Sequence, residues 1–219
     1  NLPLAMTGGL ILWFGWIGFN GGSTLAFNET VPGIVAVTIL GGAAGLMAAL
    51  ALGIVREGYP VPSDPLNGSL AGLVAVTAGT HVLPSWAAVL VGAIGGMIAV
   101  LGEDLLEKLR VDDAVGAVPV HLMAGMWGTL AVGLFGRLDV LGTGHTRLGQ
   151  IGAQLLGIGA AAAWGFGVCF VTFKAINTLV PLRVSAEHED EGLNVAEHRE
   201  PTALLDLLHR MEYQARTGA

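Results

Sequence analysis

Charge is what this sequence of 219 residues has least of. Only 12% of its residues are Asp, Glu, Lys or Arg, about half the share in a soluble domain. Ten Lys and Arg stand against 17 Asp and Glu, with no basic patch of the kind that nucleic acid requires. Nucleic acid is therefore excluded as a partner, and the acidic excess falls mostly after Pro181. The single cysteine, Cys169, excludes an internal disulfide; it lies in an apolar run and is expected to be a small core residue. No Met opens the chain and no basic stretch precedes an apolar one, so no signal peptide is visible. The beginning of the natural protein is expected to be missing. The histidines have no metal-ligand spacing, and the apolar segments carry neither strand alternation nor a catalytic motif. This points away from an enzyme: no catalytic residue, metal or cofactor is expected.

What the sequence has instead is length of apolar run. It is 53% hydrophobic, with 34 glycines and a mean hydropathy of +0.68. Uncharged runs of about 20 residues match the hydrocarbon core of a bilayer. The fold class read from them is an all-α membrane protein of six transmembrane helices, roughly 4–25, 31–55, 67–80, 84–106, 114–135 and 148–182. These form one transmembrane domain, 1–182, followed by a C-terminal segment, 183–219. The third and fourth spans come from one long uncharged segment broken at Gly79–Pro84, because Pro is tolerated in a first helical turn and not in an interior.

If the spans alternate, Arg56, Lys108, Arg110, Lys174 and Arg183 share one side, and Arg137 and Arg147 the other. The excess of Lys and Arg places the first side, and the C-terminus, in the cytoplasm of a cell that carries the protein in its plasma or inner membrane. Small residues recur four apart at Gly18/Gly22, Gly41/Gly45, Gly68/Gly72 and Gly92/Gly96, which lets helix backbones approach closely. Asp112 and Asp113 precede the fifth span and are expected to cap it. His81, at a turn near the outer face, is expected at the surface. Residues 184–200 are charged enough for partial disorder. From Thr202 to Gly218, Leu204, Leu205, Leu208 and Met211 fall at helical spacing, an amphipathic connector.

One ionisable side chain, His121, lies near the middle of the uncharged stretch Ala114–Phe135. A polar side chain at that depth is costly unless it faces protein or a water-filled path. It is either a functional residue or a histidine hydrogen-bonded for stability.

Several stretches together resemble the Amt/Mep/Rh ammonium transporters. Leu12-Trp13-Phe14-Gly15-Trp16-Ile17-Gly18-Phe19-Asn20-Gly21-Gly22-Ser23 is similar to that family's sixth helix, and Asn67-Gly68-Ser69-Leu70-Ala71-Gly72-Leu73-Val74 to its eighth. Arg110-Val111-Asp112-Asp113 with Val120-His121 resembles its tenth. Arg183-Val184, Glu191-Gly192-Leu193-Asn194 and Glu197-His198 resemble its cytoplasmic tail. The resemblance implies the second half, helices six to eleven, of an eleven-helix bundle, with the first five helices outside this sequence. It implies a homotrimer in a lipid bilayer, one narrow pore per subunit, and ammonium or ammonia as the ligand. His121 then matches the second of twin pore histidines, Phe19 one of two aromatics closing the pore, and Ser23 the hydroxyl at an outer ammonium site. An aromatic face attracts a desolvated cation by about 2 kcal/mol, and a serine hydroxyl accepts one of its hydrogen bonds.

The stretch before the histidine departs from the family's DAFGVHG. Gly116 stands at the acidic position, Pro119 lies inside the expected span where it would kink the helix, and Leu122 is bulky enough to narrow a path. These residues, with Trp16, are candidates for shaping the pore; packing is the alternative for Trp16. Two functions follow from the resemblance. One is a transporter that binds ammonium outside and conducts ammonium or ammonia past histidines. The other is an ammonium receptor that conducts little and signals through the connector to a fused or separate cytoplasmic partner.

Overall fold

The computed structural model describes residues 2–197 and Met211. All regular structure among the described residues is helical: α1 Leu2–Gly22, α2 Val31–Glu57, α3 Ser63–Thr77, α4 Ser85–Leu109, a π-helical turn Val118–Met123 running directly into α5 Ala124–Phe135, α6 Leu138–Leu141, α7 Arg147–Leu179, α8 Ala186–Glu191 and α9 Leu193–Ala196. Five helical stretches are long and apolar enough to cross a membrane: α1, α2, α4, Val118–Phe135 and α7. The exception, α3, has 15 residues, about 22 Å of helix.

The chain separates into two compact units, Asn1–Ala161 and Ala162–Ala219. The division falls inside α7, whose one buried residue, Gln150, lies near its start. Cys169 corrects the expectation of a core residue: it is exposed on α7. In the second unit Phe166 stacks on Phe170, whose ring lies 5.7 Å from the Lys174 ammonium. Residues 186–196, where partial disorder was an expectation, form α8 and α9. The Ser185 hydroxyl caps α8 by accepting from the His188 N–H at 3.2 Å, and Arg183 pairs with Glu189 at 3.1 Å. Of the expected connector at 202–218, all but Met211 lies outside the described residues.

Two spans begin elsewhere than expected. The third runs over Ser63–Thr77, not 67–80, because Pro65 sits in its first turn, where no N–H is needed, and the chain turns at Gly79, whose N–H donates to Val76 O at 2.9 Å. The fifth begins at Val118, not 114. Gly116 turns the chain there with φ +69°, a left-handed backbone that favours glycine. Pro119 therefore stands in the first turn, buried, and does not kink the middle of a span. The helix instead widens into a π-helical turn at Val118–Met123.

The first unit is built around α2, α3 and α4 packed backbone against backbone. A methyl group placed on Gly41 would meet the Val76 side chain; on Gly72 or Gly92 it would meet the carbonyl oxygen of Gly41; on Gly96 that of Gly45; on Gly45 that of Gly68. Three of the four glycine pairs seen in the sequence make this interface. Gly18 and Gly22 do not: a methyl group placed on either would meet nothing within 4 Å beyond its own turn of helix.

Helix α1 buries few residues, among them Gly9, Asn20 and Gly21, and is pinned by hydrogen bonds. Trp13 Nε1 donates to Ser69 Oγ at 3.1 Å, Trp16 Nε1 to Thr77 Oγ1 at 2.8 Å and Asn20 Nδ2 to Thr38 Oγ1 at 3.0 Å. Each receiving hydroxyl donates its own proton to a carbonyl of its helix: Leu66 O, Leu73 O and Ile34 O. The hydroxyls are thus left as oriented acceptors.

Gly96→Ala should destabilise the full-length protein by about 1–3 kcal/mol, the usual cost of overpacking, because its methyl group meets backbone that cannot move aside. Gly33→Ala, where nothing lies within 4 Å, should be close to neutral. Thermal unfolding in detergent measures both, and equal effects would contradict the packing described.

Candidate functional site

The ends of α1 and α3, the start of α2 and the following turns enclose a cavity of about 550 Å³ at one end of the first unit. Phe19, Asn20, Ser23, Thr77, Thr80 and His81 are among its lining residues. Phe19 is exposed, 61%, and its ring meets the half-buried Trp16 indole edge to face at 6.0 Å. Trp16 therefore fixes α1 through Thr77 and backs Phe19, and is not itself part of the cavity wall. The Ser23 hydroxyl donates to the Phe19 carbonyl at 2.6 Å, so both its lone pairs remain to accept. Asn20, 4% exposed, spends its amide N–H on Thr38, which orients its carbonyl oxygen as an acceptor.

Sequence reasoning named Phe19 and Ser23 and missed the rest of this cavity. Asn20 stood inside the quoted stretch, and its partner Thr38 lies 18 residues away. His81 was read as an ordinary surface residue; it is exposed and also lines the cavity. Among the described residues, no Asp, Glu, Lys or Arg lines it. Besides the apolar Ile34, Ala78 and Val140, its surfaces are an aromatic ring, hydroxyls, an amide and one imidazole, the set that can hold a small cation by hydrogen bonds and ring attraction without a counter-charge.

His121, Pro119 and Leu122 lie elsewhere, on the π-helical turn. Val120 and Pro119 face the core, while His121 and Leu122, the latter 51% exposed, face outward. His121 has no hydrogen-bond partner among the described residues. π-helical turns occur often at functional sites, and this one aims the imidazole away from the α3/α4 packing. Gly102 and Pro119 abut there: a methyl group on Gly102 would come within 2.8 Å of Pro119 Cβ.

The opposite end from the first cavity holds a second, of about 350 Å³, lined by Asn67, Glu103, Glu107, Asp112, Asp113 and Gly116 among others. Asn67 Nδ2 donates to Glu103 Oε1 at 2.6 Å, and Asp104, next in sequence to Glu103, pairs with Arg56. Asp113 stands just before the helix that carries His121. Its carboxylate accepts from the N–H groups of Ala117 and Val118 at 2.9 and 2.8 Å. Partial desolvation alone would raise its pKa; the hydrogen bonds from Val118, Ala117, Val115 and Gly116 outweigh it and hold the carboxyl below the usual range.

That cap makes a pH prediction. A carboxyl lowered in the folded state contributes stability in full above its unfolded pKa, about 3.9. The contribution is lost as pH falls through the lowered folded value. Asp113→Ala should cost about 1 kcal/mol at neutral pH, as loss of a cap does, with the deficit shrinking under acid. Thermal unfolding of both proteins between neutral and acid pH tests this, and a pH-independent deficit would refute it.

The family description "Ammonium Transporter Family" matches residues 1–203. A putative ammonium transporter of Synechocystis is 46% identical over 99% of this chain and 40% of its own length. Ammonium transporter Amt2 of Archaeoglobus fulgidus is 41% identical over 90% of this chain and 45% of its own. Among solved structures, a sensor Amt protein superposes with a TM-score of 0.85 at 37% identity, over 90% of this chain and 49% of the other. Mep2 of Saccharomyces cerevisiae superposes with a TM-score of 0.78 at 29% identity, over 85% and 44%. The chain thus spans about half the length of these relatives.

Proposed function

This chain belongs to the ammonium transporter family, and we propose that, joined to the rest of its protein, it binds ammonium in the cavity of Phe19 and Ser23 and conducts ammonium or ammonia along a path bordered by His121. It is a multi-pass membrane protein. The remaining partners follow the same reading: five preceding helices that cover the face bearing His121, a lipid bilayer, and two further copies in a homotrimer. The membrane is the plasma or inner membrane, with the C-terminus cytoplasmic.

The carrying observation is the meeting of Ser23 and Phe19 in one uncharged cavity. Ammonium is a compact cation with four N–H donors. Ser23, its proton already committed, meets it as an acceptor, and the Phe19 face adds cation–π attraction. Neutral acceptors reward a ligand that donates along their lone pairs, which Na+ does not. Deeper in, bare ammonium would carry a large desolvation cost, so neutral ammonia crosses more cheaply. A histidine free of protein partners can donate or accept according to tautomer. Leu122, beside it and exposed, narrows the path.

Similarity to a solved sensor protein supports the second reading, a receptor that binds ammonium at the same cavity and signals through its cytoplasmic segment with little conduction. Binding would then shift a two-state bundle only through different affinities for its two states.

In the full-length protein, Ser23→Ala should weaken ammonium binding roughly tenfold, the loss of one hydrogen bond to a charged ligand, read by calorimetry. His121→Ala should leave binding and abolish ammonium-driven currents on a solid-supported membrane. Binding without currents in the wild type would favour the receptor; no binding at all would end both readings.

A further inference from the structure

We propose that His81 controls the charge of the outer cavity and so makes its affinity for ammonium depend on pH, a cation being admitted when the imidazole is neutral and repelled when it is protonated. This rests on the reading of that cavity as the ammonium site.

His81 stands in the turn joining α3 to α4, between Thr80 and Val82, which are 7% and 0% exposed. The turn is firmly seated. The Leu83 N–H donates to Gly79 O at 2.7 Å, and the Arg137 N–H, from the connection after α5, donates to Val82 O at 3.0 Å. Its neighbours are held on both sides, so the exposed imidazole is presented to the same cavity as Ser23 and Phe19.

Among the described residues it is the one titratable side chain that lines this cavity. From α1 the wall is Phe19, Asn20, Ser23 and Thr24; from the start of α2, Thr30 and Ile34; from the end of α3, Thr77 and Ala78; from α6, Val140. The charged residues closest in sequence to these, Glu29, Arg137 and Asp139, are not among the lining residues. Arg147 is occupied elsewhere, donating to the carbonyls of Gly133 and Gly136 at 3.1 and 2.7 Å. From the described residues, a cation in the cavity therefore meets either no formal charge or the single positive charge of His81. Imidazole changes charge between about pH 5 and 8, whereas ammonium stays almost wholly protonated there. Two like charges about 12 Å apart, at the effective dielectric constant of about 20 that applies near a protein surface, weaken the binding of the second roughly tenfold, and more if they come closer. The coupling is reciprocal, so bound ammonium opposes protonation of His81 by the same factor.

The test is calorimetric titration of the full-length protein with ammonium chloride at pH 5 and pH 7.5. The wild type should bind roughly tenfold more weakly at pH 5. His81→Gln should bind equally at both, and His81→Lys weakly at both. Glu29→Gln and Asp139→Asn should keep the wild-type pH dependence. Wild-type affinity that does not change with pH, or a change that survives in His81→Gln, would overturn the proposal. Ser23→Ala in the same titration separates the two readings: normal affinity at pH 7.5 in that variant would remove the site itself, whatever His81 does.

Discussion

Everything in the first unit hangs on the contact of glycine backbones between α2, α3 and α4. In hydrocarbon, helices gain nothing by hiding apolar surface from one another; what holds them is close packing and polar contact. Gly41, Gly45, Gly68, Gly72, Gly92 and Gly96 bring carbonyl oxygens of one helix into the space that another residue's Cβ would fill. The three helices act as one rigid block, and each remaining element is positioned by how it attaches to that block.

The attachments are polar. Trp13, Trp16 and Asn20 fasten α1 to hydroxyls on α2 and α3, and each hydroxyl's proton is fixed on its own helix. In a medium without water such chains are well defined, because a group that lost its partner would be left unsatisfied. One consequence reaches the cavity: the same bonds that seat α1 fix the orientation of the Asn20 amide and place Phe19 against Trp16. Arg147 repeats the device on another helix by closing the carbonyls of Gly133 and Gly136.

These devices explain what the sequence disclosed. Spans were legible because length and apolarity are local properties, and the glycine pairs because spacing by four has one dominant use in such helices. The cap at Asp113 was legible because a carboxylate before a helix start has one obvious partner set. The tryptophan and asparagine partners were not, since Trp16 and Thr77 lie 61 residues apart and nothing local announces the pairing. Pro119 was misplaced because an uncharged stretch does not say where its helix begins. The positive φ of Gly116 does, and it appears only in three dimensions. Cys169 was misjudged for a related reason: an apolar run gives no sign of whether protein covers it. The cavity was half legible, with Phe19 and Ser23 adjacent in one motif and His81 brought in from a distant turn.

The two ends of the block differ in a way that bears on any cation approaching them. One cavity offers hydroxyls, an amide, a ring and an imidazole; the other offers Glu103, Glu107, Asp112 and Asp113. Carboxylates attract every cation by charge and distinguish poorly among them, since the attraction falls only with distance and dielectric. Neutral acceptors attract less and distinguish more, because a hydrogen bond needs a donor in the right direction. A preference for a ligand with N–H donors is therefore served better by the cavity whose described lining holds no carboxylate. It survives there only while no fixed charge enters the cavity. Among the described residues, the lack of Asp and Glu around Ser23 is in that sense as much a part of the proposed site as Ser23 itself.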